Sequence, residues 1–224
     1  MLSKVLIDSA GRFSEVRSFL SFIAKADSLS GVSVRQDEIR SAKGLFFVHL
    51  YGAFEYSIRR SVLDCFAVIN SSRTTYKECR PGFLCVALDP ELNRIATVKK
   101  ERLWQSRKTL FELAFSDDIV VIREDAIPSD GRNYGYAQLQ SIWDNLCVKT
   151  PVLPRPALGG IVNELVENRN AIAHGRETPA SIGGRNSIDD LNKKYMVIDE
   201  VCTHIINSLN HYLAERDYCA TVGR

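Results

Sequence analysis

A long stretch without proline, residues 35–69, limits the folds that this chain can adopt. It is rich in apolar residues, so a single helix of about 50 Å is possible at 1.5 Å per residue. Its middle, residues 45–54, is apolar almost all round, which is typical of a helix that other helices enclose. Gly44 and Gly52 weaken the helix locally, and we expect each to let a neighbouring element approach closely. The stretch predicts the central helix of a bundle.

Helical patterns elsewhere predict an all-α bundle of five or six helices that forms one domain over residues 1–224. They cover residues 3–27, 98–115, 136–147, 158–175 and 187–218. Ser187 and Asp190 have the spacing of a capping box, which would open the last helix. Residues 28–34 are typical of a turn.

The segment 71–135 differs from the rest of the chain because Ser, Thr, Pro and Gly interrupt its helical pattern. Two short apolar runs, 83–88 and 119–122, predict strands. We therefore expect 71–135 to be an irregular insertion between core helices.

Charge and cysteine content narrow the functional classes. A net charge of +2 excludes a polybasic nucleic-acid-binding protein, so any RNA binding must be local. The six cysteines form no CxxC pair and match no zinc spacing, which predicts reduced, largely buried thiols. The N-terminus lacks a signal-peptide pattern, and no apolar run reaches the ~20 residues of a membrane helix. We expect a cytoplasmic protein with no membrane segment.

The stretch 158–175, LGGIVNELVENRNAIAHG, carries the candidate chemistry. Its apolar residues form one helical stripe, and Arg169 falls near the middle of that stripe. A guanidinium keeps its proton, so this position is costly unless an anion meets it. The anion could be a carboxylate of this fold, a partner's carboxylate or a substrate phosphate. Glu55 is either a solvated surface acid or the carboxylate that pairs with Arg169.

His174 is expected to close this helix, with Gly175 leaving it in a left-handed conformation. The negative end of the helix dipole favours a protonated histidine there. On an ideal helix, Arg169 and His174 are about 140° apart, whereas Asn170 and His174 share a face. A purely structural role, with Arg169 in a salt bridge and His174 as a helix end, is the alternative to a site for phosphate chemistry.

Two stretches resemble the HEPN superfamily (higher eukaryotes and prokaryotes nucleotide-binding). ENRNAIAHG resembles its Arg-x4-His motif, with Asn directly after the Arg and Gly directly after the His. AKGLFFVHLYGAFEYSIRR, residues 42–60, resembles the early long helix of the RiboL-PSP-like branch. The resemblance covers residues 35–70 and 158–215.

The resemblance implies a metal-independent RNA endonuclease that needs no cofactor and leaves 2′,3′-cyclic phosphate ends. Arg169, Asn170 and His174 would be catalytic, with Glu55 and Arg176 as supporting residues. The implied partners are RNA and a second copy of the chain, with the site at the two-fold interface. A toxin–antitoxin or phage-defence setting with a neutralising partner protein is also implied. The alternative is an inactive HEPN module that binds a nucleotide or a protein, with 71–135 as its docking surface.

Overall fold

The described residues of the computed structural model, 1–29, 36–128 and 133–220, form α-helices and short 3₁₀ turns, with no strand among them. The all-α prediction is therefore confirmed. The turn predicted at 28–34 falls mostly outside these residues. The α-helices are α1 (Ser3–Leu29), α2 (Gln36–Ser71), α3 (Leu84–Ala87), α4 (Asp89–Thr97), α5 (Lys100–Ala114), α6 (Tyr136–Leu146), α7 (Gly159–Ala173), α8 (Pro179–Gly183) and α9 (Ile188–Ala214).

Within these described ranges the helices already exceed the predicted five or six, because α3, α4 and α8 were missed. Pro90 belongs to the residues of 71–135 that were expected to interrupt the helical pattern, but it lies in the first turn of α4, where proline fits a helix. The helix α8 lies within the glycine-rich segment after Gly175. Ser187 and Asp190 form the predicted capping box at the start of α9.

Both strand predictions were wrong. Residues 84–87 form α3, because the buried Phe83, Val86 and Ala87 recur at helical spacing and a short apolar run does not by itself distinguish helix from strand. In the run 119–122, burial alternates as it does in a strand, but pairing is limited to one isolated bridge between Thr75 and Ile119.

The helix α2 is central, and α1, α7, α8 and α9 all pack against it. Its enclosure is nevertheless incomplete. Leu45 is 46% exposed and Val48 is 37% exposed, and a side chain added at Gly52 would meet no atom within 4 Å. The expectation that residues 45–54 are covered all round was wrong, because the neighbouring helices leave this outer face of α2 open.

A close crossing joins α2 to α8. A Cβ atom at Gly44 would overlap the backbone of Pro179, and one at Gly183 would overlap the carbonyl oxygen of Arg40. The two backbones therefore pack directly on each other. The close approach predicted at Gly44 is confirmed, and the one predicted at Gly52 is wrong.

We expect Gly44→Ala to lower the free energy of unfolding by about 1–3 kcal/mol, because the new methyl group meets rigid backbone and forces α8 away. Gly11→Ala, within α1 and also facing open space, is the matched control. It should raise stability by about 0.5–1 kcal/mol through helix propensity. Urea unfolding monitored by circular dichroism measures both values. Similar values for the two variants would contradict the close crossing.

The helices α4 and α5 lie outside the core. No residue of α4 is buried, and only Ala114 of α5 is. Other residues of 71–135, among them Tyr76, Phe83 and Val86, are buried in the core. The single domain over 1–224 with an insertion at 71–135 therefore stays a prediction. None of the described helices combines the length and apolarity needed to cross a membrane.

Candidate functional site

The end of α7 is built by a glycine-dependent cap. Gly175 has φ of +67°, a conformation that costs glycine little. Its N–H donates to the carbonyl of Ile172 (3.1 Å), and the N–H of Arg176 donates to the carbonyl of Ala171 (2.9 Å). These two bonds form a Schellman motif, as the sequence predicted for Gly175. The cap fixes His174 as the last residue before the turn, with its side chain exposed to solvent.

Arg169 points from α7 towards α2 and is only partly exposed. Its guanidinium carbon lies 4.6 Å from the centroid of the Tyr51 ring, a cation–π contact. Its Nη1 donates to Oδ1 of Asn133 (2.8 Å) and to Oδ1 of Asn170 (2.9 Å). In the described part of the chain, no carboxylate forms an ion pair with it. Two neutral amides and a ring thus hold the cation, and no carboxylate among the described residues neutralises its charge.

This geometry determines which N–H groups of Arg169 remain for a ligand. A guanidinium has five N–H groups, and the two on Nη1 are used by Asn133 and Asn170. The other three, on Nε and Nη2, have no partner among the residues that the structure describes. They are available to an anion from outside the chain.

Asn133 connects Arg169, Asn170 and Tyr51 by hydrogen bonds. Its Oδ1 also accepts a hydrogen bond from the Tyr51 hydroxyl (3.2 Å), and its Nδ2 donates to Oδ1 of Asn170 (2.9 Å). The Tyr51 hydroxyl in turn accepts from the N–H of Tyr134 (3.3 Å). Sequence reasoning missed both Asn133 and Tyr51. Asn133 lies in a loop 36 residues before Arg169, and Tyr51 had the pattern of a core residue.

Tyr51 serves as a neutral hydrogen-bond donor. It is 1% exposed. Burial raises its pKa to about 12, with the negative charge of Glu55 adding to the effect. The phenol therefore keeps its proton at neutral pH and orients Asn133, and it does not act as a base.

Asn170 has its Oδ1 occupied by Arg169 and Asn133, which turns its Nδ2 to the other side. Within the described residues, this Nδ2 has no acceptor. Asn170 and the exposed His174 are four residues apart and share a face of α7. The site therefore offers two donor groups, the guanidinium of Arg169 and the amide of Asn170, with an imidazole nearby.

Glu55 and Arg176, the two residues predicted to support the site, lie in different environments. Glu55 is partly buried and forms no ion pair with Arg169 in the described regions, although its charge acts on Tyr51 and Tyr134. Arg176 pairs with Glu167 at 2.8 Å on the exposed surface. Exposed ion pairs of this kind contribute about 0–1 kcal/mol to stability. Arg176 can therefore leave Glu167 and contact another anion at little cost.

These features define a class of protein. The fold is all-helical, and the helix that ends in an exposed histidine carries an arginine that is held by two asparagines and, in the described regions, pairs with no carboxylate. The chain belongs to the RiboL-PSP-HEPN family, whose model matches residues 7–211. The match includes both α2 and α7, so the resemblance seen in the sequence is confirmed. Comparisons with curated proteins and with solved structures found no match. Membership of this family points to either an RNase or a nucleotide-binding module.

Proposed function

We propose that this protein is a metal-independent RNA endonuclease whose catalytic residues are Arg169, Asn170 and His174. The supporting observation is the guanidinium of Arg169, which is partly buried, is held by neutral oxygens of Asn133 and Asn170, and has no carboxylate partner among the described residues. A cation in this setting favours a phosphate ligand, since a half-buried charge is most stable when an anion meets it.

In the proposed reaction, the 2′-hydroxyl of one nucleotide attacks the adjacent phosphorus. A bond forms between the 2′-oxygen and phosphorus, and the bond from phosphorus to the 5′-oxygen breaks. His174 makes one of the two proton transfers, taking the proton of the 2′-hydroxyl or giving one to the leaving 5′-oxygen, and water makes the other. Arg169 stabilises the charge that develops on the phosphorane, and Nδ2 of Asn170 donates to a phosphate oxygen. The products are a 2′,3′-cyclic phosphate and a 5′-hydroxyl.

The geometry of one chain supports a homodimeric site. Arg169 and His174 are about 7.5 Å apart along the helix axis and about 140° apart around it, so they do not converge on one phosphate. Two copies related by a two-fold axis would let Arg169 of one chain act with His174 of the other. The open face of α2, with Leu45, Val48 and Gly52, begins within one turn of Tyr51 and offers an apolar surface for such pairing.

The proposed cellular setting is a toxin or phage-defence effector with a protein partner that restrains it. Family membership supports this part of the proposal.

The test is to incubate the purified protein with tRNA and with mixed single-stranded RNA in EDTA. We expect cleavage, with 2′,3′-cyclic phosphate ends identified by mass spectrometry of the fragments. Cleavage that appears only after Mg²⁺ is added would contradict the metal-independent mechanism.

A binding module is the second candidate, and the outer face of α5 favours it. Trp104 is 75% exposed, and Phe111 and Phe115 are also exposed. Lys100 and Arg107 lie on the same side at helical spacing, and the Arg107 guanidinium stacks over the Trp104 ring at 5.0 Å. Exposed aromatic and basic side chains on one face are typical of a binding surface. Under this function, the same incubations would give no cleavage.

A further inference from the structure

We propose that Cys79 and Cys219 are a dithiol pair that forms a reversible disulfide, a modification site remote from Arg169. In the structure all six cysteines are free thiols. Cys79 follows the 3₁₀ turn Tyr76–Glu78, and Cys219 follows the end of α9. The pair would therefore connect positions 140 residues apart in the sequence.

Backbone pairing places these two residues opposite each other. Cys79 and Cys219 form an isolated antiparallel bridge. The N–H of Arg80 donates to the carbonyl of Tyr218 (2.9 Å), and the N–H of Ala220 donates to the carbonyl of Glu78 (2.7 Å). Because both bonds come from the flanking residues, Cys79 and Cys219 are a non-hydrogen-bonded pair, in which the Cα atoms lie about 4.5 Å apart and the side chains are closest. Disulfides span Cα separations of about 4.4–6.8 Å, so the backbone already meets this requirement.

The two sulfurs differ in accessibility, which sets the order in which they react. Cys79 is 4% exposed, and burial raises its pKa to about 12, with the neighbouring Cys219 adding to the effect. Cys219 is partly exposed and lines an open cavity of about 760 Å³. The Arg216 guanidinium lies beside it, and the nearby Cys219 and Tyr218 groups raise the pKa of Arg216. Cys219 is therefore the sulfur that a reagent reaches first. Cys79 attacks the adduct in a second and slower step, because its raised pKa keeps most of it as the thiol.

The oxidant we assign is a low-molecular-weight disulfide such as glutathione disulfide. The Cys219 thiolate attacks one of its sulfurs, forming a mixed disulfide and releasing one thiolate. Cys79 then loses its proton to solvent and attacks the Cys219 sulfur, releasing the second thiolate. Two cysteine thiols are oxidised, one glutathione disulfide is reduced to two molecules of glutathione, and the step is reversed by excess thiol.

The test equilibrates the full chain in glutathione buffers of increasing oxidised fraction, then alkylates the remaining thiols and maps the peptides by mass spectrometry. We expect loss of two alkylation sites and one linked peptide joining Cys79 to Cys219. The thermal midpoint of the oxidised protein should rise by about 5–15 °C, because the link closes a long loop. Dithiothreitol should restore both the mass and the midpoint.

Variants distinguish this pair from its competitors. Cys219→Ser should abolish the linked peptide and the shift in midpoint, whereas Cys85→Ser, at an exposed cysteine, should leave both unchanged. A linked peptide joining Cys85 to Cys147, a link only between chains, or no link in the most oxidising buffer would overturn the proposal. The mapping of the wild-type protein needs no variant, and none of these outcomes depends on RNA cleavage.

Discussion

Replacing His174 with alanine is expected to reduce the rate of RNA cleavage in EDTA by about 10²- to 10⁴-fold, the usual contribution of a general acid or base. The side chain is exposed at the end of α7, and the cap around it is made by backbone groups. The substitution therefore removes the imidazole and leaves the helix end intact. Single-turnover cleavage of a labelled RNA measures the rate, and thermal unfolding should be unchanged.

The matched control for this variant is His211→Ala, because His211 is also an exposed histidine, on α9. Its cleavage rate should equal that of the wild type. Equal rates for the wild type and His174→Ala would instead attribute the cleavage to a contaminating nuclease. If neither protein cleaves RNA, the binding module becomes the better description of this chain.

Replacing Arg169 with lysine is expected to lower the cleavage rate by about 10²- to 10³-fold although the charge is kept. A lysine ammonium cannot reach Asn133 and Asn170 with one nitrogen while presenting further planar donors to a phosphate. It also alters the cation–π contact that the guanidinium makes with Tyr51. We expect most of the loss in kcat, since the interaction strengthens as charge develops on the phosphorane.

Arg155→Lys provides the control for this second variant, because Arg155 is an exposed arginine paired with Glu200. It should retain full activity. Single-turnover rates at saturating RNA separate the chemical step from binding. A rate for Arg169→Lys within threefold of the wild type would show that positive charge alone suffices, and would contradict the role given to the amide network.

The sequence predicted those features that depend on local spacing. The length of α2, the capping box at Ser187 and the glycine cap after His174 each follow from residues close together in the chain. Arg169 could be identified because a charge in an apolar stripe conflicts with the pattern around it. Each of these signals lies within a few turns of helix.

The missed features depend on contacts between distant segments. Nothing near Asn133 shows that it will meet Arg169, and nothing near Tyr51 distinguishes it from its buried neighbours, because the network forms only when α7 packs on α2. The two glycines of α2 illustrate the same limit. Gly44 and Gly52 lie on the same helix, yet only the packing of α8 makes Gly44 irreplaceable.

The close crossing at Gly44 constrains how this protein can change over evolution. Tyr51 lies two turns after Gly44 on α2. The same helix therefore contacts Arg169, which precedes His174 in the sequence, and α8, which follows His174. Deleting one residue between positions 44 and 51 would rotate Gly44 and Tyr51 by about 100° relative to each other. The segment that carries His174 could then no longer pack on both. Length variation among homologues should therefore be absent from this part of α2 and be tolerated in the loops between 71 and 135.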